Sequence, residues 1–133
     1  MVFKSLSFIK DEIERTDKLI RQIGYNGEIT FRPPFGKRLL FLPYYLSKNQ
    51  RDTILLSIEP ETYPGIASDS TNIVNYITDN IESGSIILLH VMYESRIESL
   101  NAIEGIITSI KEQGYTFVTI SELLDSRLIE TSK

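Results

Sequence analysis

Ser85-Ile86-Ile87-Leu88-Leu89-His90 is the run that most limits how this chain can fold, because four aliphatic residues follow one another without a polar break and end on the one histidine of the sequence. A strand with one wet face alternates apolar and polar residues, whereas an unbroken aliphatic run belongs to a strand covered on both faces. Thr53-Ile54-Leu55-Leu56-Ser57-Ile58 repeats the pattern upstream. Strands covered on both faces need helices against them, so the segments between are predicted to be helical.

Spacing supplies those helices. Ile9, Ile13, Thr16, Ile20 and Ile23 lie on one helical face, which predicts an amphipathic helix entered at Ser5 or Ser7 and ended at Gly24. Glu28 to Arg32 reads as a short strand closed by Pro33-Pro34, and the segment from Lys37 to Asn49 holds a second helix whose best beginning is Pro43. Glu59-Pro60 stops the next strand. A third helix carries Ile73, Ile77 and Ile81, with Asp69 or Ser70 as N-cap and Gly84 beyond its end. Past His90, a long helix is predicted to turn Ile97, Leu100, Ile103, Ile107 and Ile110 inward and to stop at Gly114. Tyr115 to Ile120 reads as a fourth strand. Thr119-Ile120-Ser121-Glu122 has capping-box spacing for a last helix with Leu123, Leu124 and Leu128, fraying from Glu130.

Strand and helix alternating in this way define an α/β fold: consecutive βα units on a parallel sheet with right-handed crossovers, expected as a single domain over residues 1–133. In such folds reactive groups gather at the carboxyl ends of strands, here Arg32, Glu59 and His90. A net charge of -4 and a pI near 5.0 argue against nucleic acid or an anionic membrane as partner, since both call for clustered Lys and Arg. There is no cysteine, hence no disulfide framework and no thiolate ligand or nucleophile. The first residues lack a signal-peptide pattern, so the chain as written reads as cytoplasmic.

Taken in order, Arg32-Pro33-Pro34-Phe35-Gly36, Glu59-Pro60-Glu61-Thr62-Tyr63, Leu88-Leu89-His90 and the closing Tyr115-Thr116-Phe117-Val118-Thr119-Ile120-Ser121-Glu122-Leu123 resemble the carboxyl-terminal half of a polysaccharide deacetylase domain (NodB homology, carbohydrate esterase family 4-like). The similarity runs over nearly the whole chain. It implies the later half of a distorted (β/α) barrel and, for the family, metal-dependent hydrolysis of N-acetyl groups from amino sugars. It also implies roles residue by residue. Arg32 orients the base aspartate, the Phe35 N–H helps hold the oxyanion, Leu88 lines the acetyl pocket, and His90 is the general acid toward the leaving amine. Tyr63 stands where the family often has tryptophan. Thr62 stands where it often has the aspartate that supports the histidine, which makes Glu59 and Glu61 candidate supporting carboxylates.

The family's early motifs, Thr-Phe-Asp-Asp-Gly and His-x-x-x-His, are absent from these residues, and with them the base and the metal ligands. One histidine cannot make a two-His, one-Asp site, so no metal ligand is assigned; a zinc-like divalent ion is expected of the complete domain and none of this chain alone. By itself the chain is expected to be inactive. The partner expected is an N-acetylated saccharide, with neither nucleic acid nor membrane. The open edges of a half-barrel predict a homo-oligomer or pairing with the missing amino-terminal half. The alternative is a non-catalytic truncated barrel serving as a carbohydrate-binding or self-associating module. Plainer uses stay open beside these: a hydrogen-bonded structural His90, a surface ion pair for Arg32, and a strand terminator in Glu59-Pro60.

Overall fold

Helix α1 spans Leu6–Gln22 and begins where Ser5 takes extended backbone angles, its hydroxyl accepting from the Phe8 N–H at 3.3 Å. It ends before Gly24, whose φ of +94° suits a residue without a Cβ. The computed structural model to which these elements belong describes residues 5–33 and 41–131, the last turns of the final helix and residue 41 by their backbone alone. The chain divides into two compact units, Met1–Leu55 and Leu56–Lys133.

In the first unit Ile9 and Ile13 of α1 are buried with Leu42 and Leu46 of α2, Phe41–Lys48, and Phe31 and Tyr45 pack beside them. Each aliphatic side chain so buried contributes about 1.5–3 kcal/mol. Pro43 falls in the first turn of α2 rather than at its start. The predicted inner face of α1 is corrected at its far end: Thr16 is exposed and Ile23 is 85% exposed. Asp17 takes the position one turn beyond Ile13, and the Arg51 guanidinium donates to both its oxygens at 2.6 and 2.9 Å. A paired charge can occupy a half-buried face that a hydrophobicity pattern assigns to isoleucine.

The second unit is built on α4, Ser70–Asn80, whose N-cap Asp69 accepts from the Asn72 N–H at 3.0 Å. Ile73 and Ile77 of α4 are fully buried against Ile58, Ala102, Ile106 and Ile110. The short helix α3, Pro64–Ala67, precedes it. The predicted long helix after His90 is a 3₁₀ turn, Glu94–Arg96, followed by α5, Ile97–Asn101, and α6, Ile103–Glu112, with Ala102 between them.

Its buried face also departs from the predicted one. Ser99, Ala102, Ile106 and Ile110 point inward, while Ile97, Leu100 and Ile107 are exposed. Gly105 lets α6 come close to α4: a Cβ on Gly105 would lie 2.9 Å from Val74 Cγ2. Gly105→Ala is therefore expected to destabilise this unit by about 1 kcal/mol, an overpacking cost of about 1–3 kcal/mol offset in part by better helix propensity. Denaturant unfolding of the variant checks this.

Among the described residues the predicted strands pair only at isolated points, Phe31 with Thr53 and Ile58 with Ile87, both in the parallel sense. The second pairing is carried by Ser57 N–H and Ile58 N–H to the Ile86 carbonyl and by Leu88 N–H to the Ile58 carbonyl, at 2.9 to 3.3 Å. Tyr115 to Thr119 forms no such pairing there, and Phe117 and Val118 are about half exposed. A ladder needs a partner along the whole run, and these runs meet one at single residues. The last helix, α7, spans Ile120–Thr131 and extends past the predicted fraying point. It opens with the predicted capping box, Thr119 N–H to Glu122 Oε2 at 2.7 Å and Glu122 N–H to Thr119 Oγ1 at 3.3 Å.

Candidate active site

Pro60 and Ile87 set the two halves of the site. Pro60 begins a 3₁₀ turn, Pro60–Thr62, after the pairing at Ile58 ends, and that turn rolls the Glu61 side chain inward. Past Ile87 the chain runs to His90 and then turns, the Tyr93 N–H donating to the His90 carbonyl at 3.3 Å.

Glu61 and His90 meet there. The Glu61 side chain is 2% exposed and that of His90 41%. Glu61 Oε2 lies 2.5 Å from His90 Nδ1, and Glu61 Oε1 accepts from the His90 backbone N–H at 2.9 Å. The Ser99 hydroxyl, fully buried on α5, donates to the same Oε1 at 2.6 Å. Burial alone pushes the Glu61 carboxyl up; the Ser99 hydroxyl, the His90 backbone N–H and the His90 ring together outweigh it and leave the group below its ordinary value. A carboxylate only accepts, so Nδ1 carries the proton that it shares with Oε2. Nε2 has no partner among the described residues and is the ring atom left for proton exchange. The Tyr93 ring stacks beside the imidazole at 6.1 Å.

The other candidate residues fall as follows. Glu59 is half-buried just before the 3₁₀ turn, and its side chain makes no capping bond. Thr62 is exposed, and Tyr63 is half exposed against Tyr76, with ring centroids 5.5 Å apart. Leu88 is half-buried, two residues before the imidazole. Arg32 is exposed in the first unit, and no described residue pairs with its guanidinium. Phe35 lies outside the described residues. Ser99 has no counterpart in the sequence reading, since a serine inside an apolar helical run looks like a tolerated polar residue. The one available signal was its place on the face shared by Ala102, Ile106 and Ile110.

A divalent metal does not fit the residues present. The chain has one histidine and no cysteine, that histidine's Nδ1 is engaged by Glu61, and no three His, Asp or Glu side chains come together among the described residues.

Known proteins resemble the chain in sequence and fold. No family-wide profile matches the chain. A peptidoglycan-N-acetylglucosamine deacetylase of Bacillus cereus is 44% identical over 61 residues, which are 46% of this chain and 27% of that protein. The peptidoglycan deacetylase PdaC from Bacillus subtilis superposes with a TM-score of 0.74 at 25% identity, over 97% of this chain and 60% of that one. A CE4 family pseudoenzyme from Bacillus anthracis shares the fold, with a TM-score of 0.74 at 24% identity over 92% of this chain and 41% of its own. These relatives are deacetylases and the solved structures include family 4 carbohydrate esterases, a likeness consistent with a NodB-type, carbohydrate esterase family 4-like fold. It spans 60% of the PdaC structure and about a quarter of the Bacillus cereus relative.

Proposed function

We propose that this chain carries the proton-donating part of a deacetylase acting on N-acetylated amino sugars, with His90 as general acid toward the leaving amine. The observation that carries the reading is the buried Glu61 carboxylate bonded to Nδ1 of a partly exposed imidazole. An amine leaves poorly unless it is protonated as the carbon–nitrogen bond breaks. A carboxylate behind the ring stabilises the imidazolium that holds the proton and aims Nε2 at the substrate. Leu88 and Tyr63 are the proposed walls for the acetyl group and the sugar, and Arg32 and Phe35 are proposed to serve the base and the oxyanion. The residues form one partial NodB-type domain of βα units, the later half of a distorted barrel.

Because the metal donors do not fit here, the chain alone is proposed not to hydrolyse its substrate, the remaining groups coming from residues outside these 133. An apolar groove lined by Ile87, Leu89, Ile107, Tyr115 and Phe117 is the surface that a second copy or a complementing segment would cover. If no such complement exists, the same fold serves as a non-catalytic saccharide-binding module, a reading favoured by the lone histidine.

Titration of N-acetylglucosamine oligomers into the protein is expected to perturb the ring resonances of His90 and Tyr63. Acetate release is expected to require a co-expressed polypeptide that supplies the metal site, and His90→Gln should then slow it by about 10²–10⁴-fold. Unperturbed rings at saturating oligomer, or full activity in His90→Gln, would overturn the assignment.

A further inference from the structure

We propose that Ser99 is a positioning residue for His90, acting through Glu61, and that its hydroxyl is what fixes the imidazole as the Nδ1–H tautomer. The role in catalysis rests on the proposed acid function of His90; the tautomer itself does not.

A glutamate side chain has three rotatable bonds, and holding it in one rotamer costs side-chain entropy. Glu61 is nonetheless held so that both oxygens reach one residue, Oε1 to the His90 backbone N–H and Oε2 to the ring. Among the described residues, the Ser99 bond to Oε1 at 2.6 Å is the one hydrogen bond of that carboxylate that does not come from His90 itself. It therefore fixes the carboxylate with respect to something other than the group to be oriented. Serine inside a helix usually bonds back to its own preceding turn or faces water, whereas Ser99 is 0% exposed and donates to a side chain 38 positions away. The helix that carries it is itself tied down, because Glu98 Oε2 accepts from the Ser70 N–H at 3.1 Å at the start of α4.

Serine, histidine and a carboxylate in contact suggest a nucleophilic triad, but the order is wrong for one. In a triad the imidazole lies between hydroxyl and carboxylate; here the carboxylate lies between hydroxyl and imidazole. A fully buried hydroxyl bonded to a carboxylate has no access to a substrate carbonyl. Its remaining use is to brace Glu61.

The chain's one histidine makes the test direct, since ring-¹⁵N spectra of protein labelled at histidine report a single imidazole. On the neutral ring at alkaline pH, the wild type is expected to favour Nδ1–H over Nε2–H by about tenfold or more, and Ser99→Ala to lose at least about threefold of that bias. Ser99→Cys, nearly the same size with a weaker donor, should fall between the two and carries the test if the alanine variant does not fold. In a Glu61→Gln background, Ser99→Ala should add nothing. A wild-type ring in the Nε2–H form, or a bias unchanged in folded Ser99→Ala and Ser99→Cys, would overturn the proposal. Failure of acetate release from the complemented protein would instead overturn the hydrolytic reading and leave the tautomer result standing.

Discussion

Glu61→Ala is expected to lower the unfolding free energy of the Leu56–Lys133 unit by about 3–5 kcal/mol, the cost of removing one partner from a buried charged network. The alanine leaves the Ser99 hydroxyl and the His90 backbone N–H without their acceptor, and leaves the ring Nδ1 facing a void. Glu61→Gln keeps an acceptor oxygen and the volume, so its loss should be nearer to about 1–2 kcal/mol. Denaturant melts of the two variants separate charge from shape.

The pH dependence of the same network has a definite sign. The folded Glu61 carboxyl lies below its ordinary value, so the stability it contributes is present above the unfolded pKa, about 4.3 for a free glutamate, and is lost as pH falls through the lower folded value. Acid unfolding of the wild type should therefore be steeper below that pH than acid unfolding of Glu61→Gln. Equal slopes would mean that the carboxylate is not held in its charged form.

The second large effect is expected at Ile77, which is completely buried at the centre of the same unit. Ile77→Ala should cost about 2–5 kcal/mol, the lost transfer energy together with a cavity that Ile106 and Ile110 cannot close without moving α6. Because α5 carries Ser99 directly before the Ala102 junction with α6, the variant should also loosen the Glu61 brace. Amide exchange at His90 reads that loosening: its N–H donates to Glu61, and protection there should fall with the global stability.

Local rules made much of this fold legible in the sequence. The caps and the Thr119–Glu122 box need only a side chain and its own first turn: the box forms as predicted, and of the paired candidates Ser5 or Ser7 and Asp69 or Ser70 the first of each is the cap. What failed depends on a partner. Isoleucines at 97 and 107 carry a strong apolar signal, yet the inner face goes to Ser99, Ala102, Ile106 and Ile110, which face α4 and Ile58. Asp17 likewise turns to a half-buried position that no local spacing marks, because its partner Arg51 lies far along the chain. Arg32, Glu59 and His90 were readable in the sequence as predicted strand ends, and the motifs around them carried the family resemblance. Which glutamate faces the histidine was not readable: the choice between Glu59 and Glu61 rests on a 3₁₀ turn that no periodicity announces. Ser99 required the tertiary structure, because its partner is 38 residues away.

The single pairing of Ile58 with Ile87 has a consequence in the arithmetic of chain length. Glu61 is the third residue after Ile58, and His90 is the third after Ile87. Two parallel segments held level at one point thus bring acid and imidazole together the same number of residues beyond it. The spacers Glu59-Pro60 and Leu88-Leu89 matter first as a count of two. A one-residue deletion in either would part the dyad while leaving both of its members in the sequence.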